Sequence, residues 1–230
     1  MDAQRIASNI AEVRERVRRE AEKYARVPGD VRILAVSKTQ PVDAVRAAAA
    51  AGQRDFGENY LQEAQTKIAA TRDLDLCWHF IGPVQSNKTR SIAGSFAWVH
   101  SVDRLKIARR LSEQRPGALP PLQLCLQVNV SGEASKAGFA PEEVPTLARE
   151  IAALPRLRLR GLMAIPAPAQ DLASQRAPFA RLAALLAALR PELPALDTLS
   201  MGMSADLEAA IAEGATLIRI GTAIFGPRGA

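Results

Sequence analysis

Residues 31–38 of the chain read Val-Arg-Ile-Leu-Ala-Val-Ser-Lys, and Thr39-Gln40-Pro41 follows them. Five of the six residues before Ser37 are valine, isoleucine, leucine or alanine, a pattern typical of a strand that is buried on both faces. Because proline has no amide hydrogen, the strand is predicted to end before Pro41. An alanine-rich helix is predicted over residues 42–51. The same alternation of strand and helix continues through the rest of the chain.

The predicted strands cover residues 33–36, 55–57, 79–82, 98–102, 122–130, 157–165, 198–201 and 217–220. The predicted helices between them cover residues 42–51, 60–70, 105–114, 142–153, 176–189 and 205–212, with a short partial helix over 87–93. Eight strands alternating with helices predict an α/β fold, a single (β/α)8 TIM-type barrel. An open doubly wound sheet is the alternative. It usually has fewer strands and a glycine-rich loop after the first one, whereas no glycine follows Lys38 until Gly52.

An amphipathic helix is predicted ahead of the barrel, over residues 2–26. Its apolar residues recur at helical spacing: Ile6, Ile10, Val13, Val17 and Ala21. No linker or low-complexity tract divides the sequence. We therefore expect one domain over residues 1–230, with residues 1–26 packed on the barrel as a helix.

The net positive charge suggests nucleic acid as a partner, but the distribution of the charges does not support it. The net charge is +6, from 30 basic and 24 acidic residues, but the densest arginine cluster, residues 14–19, is interspersed with glutamates. That pattern is typical of a solvated, salt-bridged helix face. Aromatic residues are 4% of the chain, too few for a base-stacking platform. A small phosphate compound is therefore the anionic partner that we favour, and nucleic acid is not expected.

The compartment is predicted from what the sequence lacks. The N-terminal residues have no apolar segment like that of a secretory signal, and no apolar stretch is long enough to span a bilayer without polar interruption. Cys77 and Cys125 lie in apolar runs outside any metal-ligand spacing, so buried free thiols are predicted. A cytoplasmic protein with no membrane partner is expected.

Lys38 ends the apolar run of residues 31–38, and burying its amine costs free energy unless the amine has a partner or a function. One interpretation is that its side chain simply extends into solvent at the strand end. The other is that burial lowers its pKa and favours the free amine, which attacks aldehydes to form a Schiff base. The chain has six lysines against a large excess of arginine, and arginine cannot perform that reaction.

The ends of the last two strands carry hydroxyls and glycines. Residues 200–204 read Ser-Met-Gly-Met-Ser, and Gly221-Thr222 follows the eighth strand. Loops after strands seven and eight of such barrels commonly bind phosphate, and Ser204 fits the N-cap of a helix over 205–212. A purely structural cap and turn is the alternative. The joint placement of both clusters favours a phosphate site.

Three further polar side chains, Arg219, His79 and His100, lie in predicted strands. Arg219 lies within a buried strand, where it either forms a salt bridge with Glu58 or Asp206 or donates to a ring nitrogen or a phosphate. His79 and His100 fit hydrogen-bonded positions near the barrel interior better than catalytic or metal-binding ones. We assign no catalytic residue and no metal site.

These motifs occur together in a known family. The chain resembles the pyridoxal phosphate homeostasis proteins of the YggS/PROSC type from about residue 31 to residue 226. The motifs that carry the resemblance are Val36-Ser37-Lys38-Thr39, Phe56-Gly57-Glu58-Asn59-Tyr60, Trp78-His79-Phe80-Ile81-Gly82, Gln85-Ser86-Asn87-Lys88, Val128-Asn129-Val130-Ser131-Gly132-Glu133, Ser135-Lys136-Ala137-Gly138-Phe139, Gly161-Leu162-Met163, the segment 199–206 and the segment 219–226.

The resemblance implies a fold and a cofactor. The family is similar to the barrel domain of alanine racemase and of ornithine decarboxylase, the fold type III pyridoxal phosphate proteins. By that similarity Lys38 would hold pyridoxal 5'-phosphate as a Schiff base, and Arg219 would face the pyridine nitrogen. The implied phosphate ligands are Ser200, Gly221 and Thr222, with the backbone of Met201 and Gly202 nearby. Asn59 and His79 would line the ring pocket.

The resemblance also implies a role. Racemases of this fold carry a second domain that supplies another acid or base, and none follows the barrel motifs in this sequence, so fast racemisation is not expected. The implied role is homeostasis of pyridoxal phosphate: binding it, keeping the free aldehyde low, and delivering it to pyridoxal phosphate-dependent apoenzymes. A weak amino-acid racemase is the alternative, and a monomer is expected.

Overall fold

The computed structural model describes residues 2–133 and 137–227. The strands of its barrel, in chain order, are β1 (Arg32–Val36), β2 (Asp55–Glu58), β3 (Cys77–Phe80), β4 (Trp98–Val102), β5 (Leu122–Gln127), β6 (Leu157–Met163), β7 (Thr198–Ser200) and β8 (Leu217–Ile220). Each strand pairs in parallel with the next, and β1 also pairs with β8, where Ile33 lies beside Ile218. The barrel is therefore closed, and the predicted (β/α)8 fold is confirmed.

Helices surround this sheet in the described residues. They are α1 (Ala3–Lys23), α2 (Val42–Ala50), α3 (Leu61–Ala70), α4 (Thr89–Ser95), α5 (Leu105–Gln114), α6 (Val144–Ala152), α7 (Leu172–Leu189), α8 (Leu207–Ala212) and α9 (Thr222–Phe225), with 3₁₀ turns at Pro28–Asp30 and Ser86–Lys88. None of these described helices is both long enough and apolar enough to cross a membrane.

The main departures from the predicted helices are at α7, α8 and α9. Helix α7 begins at Leu172 instead of residue 176, because the Asp171 side chain caps it by accepting from the Ser174 amide at 2.9 Å. Helix α9 was not predicted. Helix α8 begins at Leu207 and its N-cap is Asp206, so the prediction that Ser204 caps a helix over 205–212 was wrong.

Helix α1 packs on the barrel through the apolar face that its spacing predicts. The buried residues are Ile6, Ile10, Val13, Val17 and Ala21. They face α2, α8 and α9. On the outer face Arg18 pairs with Glu15 and Glu22, both at 2.6 Å, as expected of a salt-bridged surface. The helix covers residues 3–23 instead of 2–26, since Ala25 adopts a positive φ of 53° after it.

The interior of the barrel is more polar than its surroundings. The aliphatic core lies between the sheet and the helices, whereas a small separate cluster of Trp98, Cys125 and Met163 sits inside. His100 on β4 contacts Ser200 on β7 at 2.8 Å, and strands that are not neighbours in the sheet meet only across the interior. Both cysteines are free thiols, as predicted, but Cys77 is only partly buried.

Candidate functional site

A cavity of about 320 Å³ opens at the carboxyl ends of the strands. It is lined by Val36, Lys38, Asn59, Ile81, Met163, Ile165, Met203, Ser204, Ala205, Arg219, Gly221 and Thr222. These residues come from the ends of β1, β2, β3, β6, β7 and β8 or from the loops that follow them. The carboxyl end is where barrels of this kind place their functional sites.

Lys38 lies two residues beyond β1 and is partly buried in the cavity wall. The backbone on either side of it is fixed by nearby side chains. Thr39 adopts a positive φ of 64°, and its amide donates to Glu63 Oε1 at 2.5 Å. The carbonyl of buried Ser37 accepts from Lys67 Nζ at 2.6 Å. The strand end that carries Lys38 is therefore held from both sides.

A buried ion pair lies beside this strand end. Lys67 Nζ donates to Glu58 Oε1 at 2.7 Å, and the Ser37 hydroxyl donates to the same oxygen at 2.7 Å. Glu58 is fully buried, and burial raises the pKa of its carboxyl although the hydrogen bonds from Lys67 and Ser37 oppose that shift. The partner of Glu58 is therefore Lys67 of α3. The pair supports the loop of Lys38 from below the cavity.

Asn59 forms another part of the cavity wall. Its Oδ1 is buried and has no hydrogen-bond partner among the described residues. Its backbone packs so closely on Gly82 that any side chain at residue 82 would collide with the Asn59 carbonyl. A buried acceptor without a donor is costly, so Asn59 fits a position that a bound ligand completes.

The loops after β7 and β8 form the part of the cavity wall on the other side of β1 from Asn59. The Ser204 carbonyl accepts from Arg16 of α1 at 3.0 Å, and the Met203 amide donates to Asp206 at 2.6 Å. Gly221 approaches the β1 backbone, so that an added Cβ would lie 3.3 Å from the Val36 carbonyl oxygen. Thr222 begins α9, where the first amides have no partner within the helix. The Ser204 and Thr222 hydroxyls and these amides can donate to an anion.

Arg219 reaches the cavity from β8 and is 5% exposed. Its NH1 donates to the Ser200 carbonyl at 2.6 Å and to the Ser200 hydroxyl at 2.9 Å, and its NH2 donates to the Ala164 carbonyl at 2.9 Å. Burial lowers the pKa of Arg219 to about 10, so it remains charged at neutral pH. The salt bridge to Glu58 or Asp206 that the sequence left open is not formed: Glu58 pairs with Lys67, and the partners of Arg219 are neutral oxygens.

The structure brings together five of the nine predicted cofactor residues at this cavity. They are Lys38, Asn59, Arg219, Gly221 and Thr222. The other four predicted residues lie deeper, outside the cavity lining: His79, Ser200, Met201 and Gly202.

These four are engaged with the protein itself. His79 is fully buried between Asp55 and His100, at 2.9 Å from each. Ser200 contacts His100 and Arg219. The Met201 amide donates to the Leu217 carbonyl at 3.1 Å, and the Gly202 carbonyl accepts from the Arg219 amide at 3.0 Å.

Sequence reasoning missed the apolar part of the lining. It placed Ser204 in the phosphate cluster of residues 200–204 but did not assign it as a cofactor residue. Ile81, Met163, Ile165 and Met203 stand at strand ends, where they resemble ordinary core residues in the sequence. The motif Ser-Met-Gly-Met-Ser was a sufficient signal for Ser204. The phosphate contact that the resemblance implies at Ser200, a buried strand residue, stays a prediction.

The comparison with known proteins identifies the relatives of the chain. The family model described as "Alanine racemase, N-terminal domain" matches residues 1–229. A protein of Pseudomonas aeruginosa named "Pyridoxal phosphate homeostasis protein" is 66% identical over 223 residues, which cover 97% of this chain and 96% of the relative.

Solved structures agree with this result. The structure of PipY of Synechococcus elongatus with PLP (pyridoxal phosphate) bound is similar at a TM-score of 0.83 and 40% identity, covering 96% of this chain and all of PipY. Alanine racemase from E. faecalis shares the fold at a TM-score of 0.73 and 20% identity. The similarity covers 99% of this chain but 59% of that enzyme.

Proposed function

The chain belongs to the family of pyridoxal phosphate homeostasis proteins, within the alanine racemase N-terminal domain family, and from that premise we propose that it binds pyridoxal 5'-phosphate at Lys38 and contributes to homeostasis of that cofactor. The observation that carries the proposal is the convergence of an amine, a charged guanidinium and a donor-rich turn on one cavity. Lys38, Arg219 and Gly221-Thr222 supply these groups from the ends of β1 and β8.

The described residues fit this cofactor. The cavity volume of about 320 Å³ lies in the range of small-molecule sites. Asn59 Oδ1 is a buried acceptor without a donor, and a hydroxyl group on a bound ring would supply one. Ile81, Met163 and Ile165 offer apolar surface to the faces of such a ring.

Lys38 is the residue that would hold the cofactor covalently. Pyridoxal phosphate supplies an aldehyde and an aromatic ring that can accept electrons. The Lys38 amine would attack the aldehyde carbon to form the carbon–nitrogen double bond of a Schiff base, and the aldehyde oxygen would leave as water. The bonds to Glu63 and Lys67 fix the backbone at Thr39 and Ser37, which limits the positions that the amine can take.

The loops after β7 and β8 would receive the phosphate. Ser204 and Thr222 present hydroxyls, and the absence of a side chain at Gly221 lets an anion approach the backbone there. Ser200, Met201 and Gly202 hold β8 and Arg219 in place through their own hydrogen bonds. Their direct contact with phosphate, like a contact of His79 with the ring, stays a prediction.

Arg219 would determine how the bound ring behaves. A guanidinium beside the ring nitrogen stays protonated and therefore disfavours protonation of that nitrogen, which weakens the ring as an electron acceptor. Lys38 and Arg219 are the titratable groups among the described residues of the cavity lining. The weakened electron acceptor and the small set of titratable groups both favour binding over catalysis. We propose that the chain is not an efficient enzyme.

The role of the protein beyond binding the cofactor is proposed from its family alone. Delivery to pyridoxal phosphate-dependent apoenzymes, a cytoplasmic location and a monomeric state all stay predictions. Each can be tested without reference to the site.

The proposal is tested with the absorbance spectrum of the protein after incubation with pyridoxal phosphate and removal of the excess. Wild type should retain a visible absorption band that Lys38→Ala lacks. Lys106→Ala is the matched control, because Lys106 is exposed on α5 and should leave the band unchanged. A wild type that stays colourless, or a Lys38→Ala variant that keeps the band, would contradict the proposal.

A weak racemase is the second candidate, because the barrel is shared with alanine racemase. Incubation of the loaded protein with single L-amino acids, followed by chiral chromatography, separates the two. We expect no D-isomer beyond the amount that free pyridoxal phosphate produces. A Lys38-dependent excess would establish the enzyme instead.

A further inference from the structure

A continuous chain of hydrogen bonds crosses the barrel interior, here called the relay. It runs from Asp55 to His79, His100, Ser200 and Arg219. The four donor–acceptor distances are 2.9, 2.9, 2.8 and 2.9 Å in that order. Asp55 is the first residue of β2, at the end of the barrel opposite to the cavity, and Arg219 lies in the cavity wall. The relay therefore connects the two ends of the molecule.

The chemistry of its two ends determines the direction of every bond in the relay. Arginine has only donors, so Arg219 donates to the Ser200 oxygen. Asp55 is ionised, because the hydrogen bond from His79 and nearby positive charge outweigh burial and lower its pKa, and an ionised carboxylate only accepts. His79 must therefore carry its proton on Nε2.

The two histidines then have one arrangement each. Burial lowers the pKa of both, so each is a neutral ring with one donor and one acceptor. With its proton on Nε2, His79 accepts at Nδ1, and His100 donates to it from Nε2. His100 Nδ1 consequently accepts from the Ser200 hydroxyl. The reverse direction would place the lone pairs of His79 Nε2 and Asp55 against each other at 2.9 Å.

All four donors thus point away from Arg219 and towards Asp55. Hydrogen bonds aligned in one direction polarise one another, which makes the Ser200 oxygen a stronger acceptor. That oxygen contacts a guanidinium whose other acceptors are the carbonyls of Ser200 and Ala164, so its positive charge is not balanced by a directly bonded carboxylate. A buried charge without a directly bonded counter-ion needs strong hydrogen-bond acceptors, and the Ser200 oxygen is one of them.

We propose that Asp55 is a positioning residue for the cofactor site, acting through the relay on the orientation and charge of Arg219. The inference rests on the proposed function, in which Arg219 faces the ring nitrogen of pyridoxal phosphate. Asp55 is not among the residues that line the cavity. Its carboxylate serves as a distant counter-ion, and the two histidines and Ser200 transmit its effect.

The same end of the relay has the composition of a metal site. Asp55, Cys77 and His79 offer ligand atoms within 4.8 Å of one another. Burial, however, raises the pKa of the Cys77 thiol to about 12, and His79 Nε2 already bonds Asp55. A metal on Nε2 would force the proton of His79 onto Nδ1, whereas the relay requires that proton on Nε2. The tautomer of His79 therefore distinguishes the two.

The first experiment reads the tautomers directly, without cofactor. The chain contains two histidines, and both belong to the relay, so a long-range proton–nitrogen NMR spectrum of histidine-labelled protein reports on it alone. Two neutral rings protonated on Nε2 are expected. A ring protonated on Nδ1, or a charged ring at neutral pH, would overturn the relay. This measurement tests the direction of the relay even if every Asp55 variant fails to fold.

The second experiment asks whether Asp55 acts on the site. Asp55→Asn keeps the shape and removes the charge; Asp197→Asn removes a charge from the same end of the barrel, where Asp197 pairs with Arg160 outside the relay. In the loaded protein we expect Asp55→Asn to shift the cofactor absorption maximum and to weaken pyridoxal phosphate binding roughly three- to tenfold, a typical coupling within one hydrogen-bond network. Asp197→Asn should change neither.

The outcomes separate the two proposals. If wild type binds no pyridoxal phosphate, the proposed function fails, and the tautomers still test the relay. If wild type binds it and Asp55→Asn gives the spectrum and affinity of Asp197→Asn, the positioning role is refuted and the proposed function stands.

Discussion

Replacement of Lys67 with methionine should destabilise the protein in a pH-dependent way. Methionine fills a similar volume but donates nothing, so Glu58, Ser37 and Glu63 each lose a hydrogen bond of 2.5–2.7 Å. Glu58 is the serious loss, because it is fully buried and its other oxygen already lacks a partner among the described residues. Only the Ser37 hydroxyl would remain on its carboxylate in that part of the chain.

The size of the effect follows from the burial of the pair. Removing one partner of a buried ion pair typically costs about 3–5 kcal/mol, because the remaining charge is left uncompensated. Burial already raises the pKa of Glu58, and Lys67 opposes that shift, so the variant should have a still higher pKa at Glu58. The ionised carboxylate is penalised above that pKa. As the pH falls through it, the folded state takes up a proton and the penalty disappears.

The assay is urea unfolding, followed by tryptophan fluorescence, near pH 8 and near pH 5. Lys67→Met should lose about 3–5 kcal/mol relative to wild type at the higher pH and clearly less at the lower one. Lys106→Met controls for the loss of a lysine at an exposed position. The double variant Lys67→Met with Glu58→Gln should regain part of the stability at the higher pH. A loss below about 1 kcal/mol that does not change with pH would refute the reasoning.

Three other outcomes are expected. Gly82→Ala should weaken pyridoxal phosphate binding and destabilise the fold by about 1–3 kcal/mol, because the added methyl collides with the β2–α3 loop. Gly94→Ala is the control and should have neither effect, because a methyl at residue 94 meets open space. Equal behaviour of the two variants in urea unfolding would contradict this. Burial holds the pKa of His100 well below its usual value, so below about pH 6.5 the unfolded state binds more protons than the folded state. The free energy of unfolding should therefore fall by up to about 1.4 kcal/mol for each unit by which the pH is lowered. His100→Gln should show a shallower dependence on pH, and an unchanged dependence would refute the assignment. Burial raises the pKa of Cys77 and Cys125 to about 12, so neither thiol should react with an aromatic disulfide reagent near pH 8 until the protein is unfolded; a rapid native reaction would contradict this.

The barrel could be predicted from the sequence because each of its units is local. The run of apolar residues before Ser37 and the proline after it define one strand and its end. The same kind of pattern identified the other seven strands, and the carboxyl ends gave Lys38 and Gly221 as candidate site residues, whereas Asn59 came from the family resemblance. Periodicity and turn residues are sufficient for this, since parallel strands in a barrel share one functional end.

The relay could not be predicted because its contacts are not local. His100 and Ser200 are 100 residues apart and belong to strands that meet only across the barrel. In the sequence both resemble ordinary strand residues. The error at Ser204 concerns where the helix begins. Helix α8 begins two residues later, after Asp206, whose side chain makes no capping hydrogen bond and instead accepts from the Met203 amide at 2.6 Å.

The Glu58–Lys67 pair was missed for a related reason. Lys67 lies on α3 at a helical position that is normally solvent-exposed for lysine. Its burial results from the proximity of α3 to the ends of β1 and β2, which only the packed structure defines. Charged residues that support a site from behind carry no sequence signal of their own.

The central claim is that Lys38 is the lysine that holds the cofactor, and borohydride reduction tests it most directly. Reduction of the loaded protein makes the carbon–nitrogen bond permanent, and peptide mass analysis then locates it. The account predicts the added mass of reduced pyridoxal phosphate on the peptide containing Lys38, and no added mass on that peptide when protein without the cofactor is treated with borohydride. Absence of that mass from the Lys38 peptide, or its appearance mainly on Lys67, Lys88 or Lys106, would contradict the account.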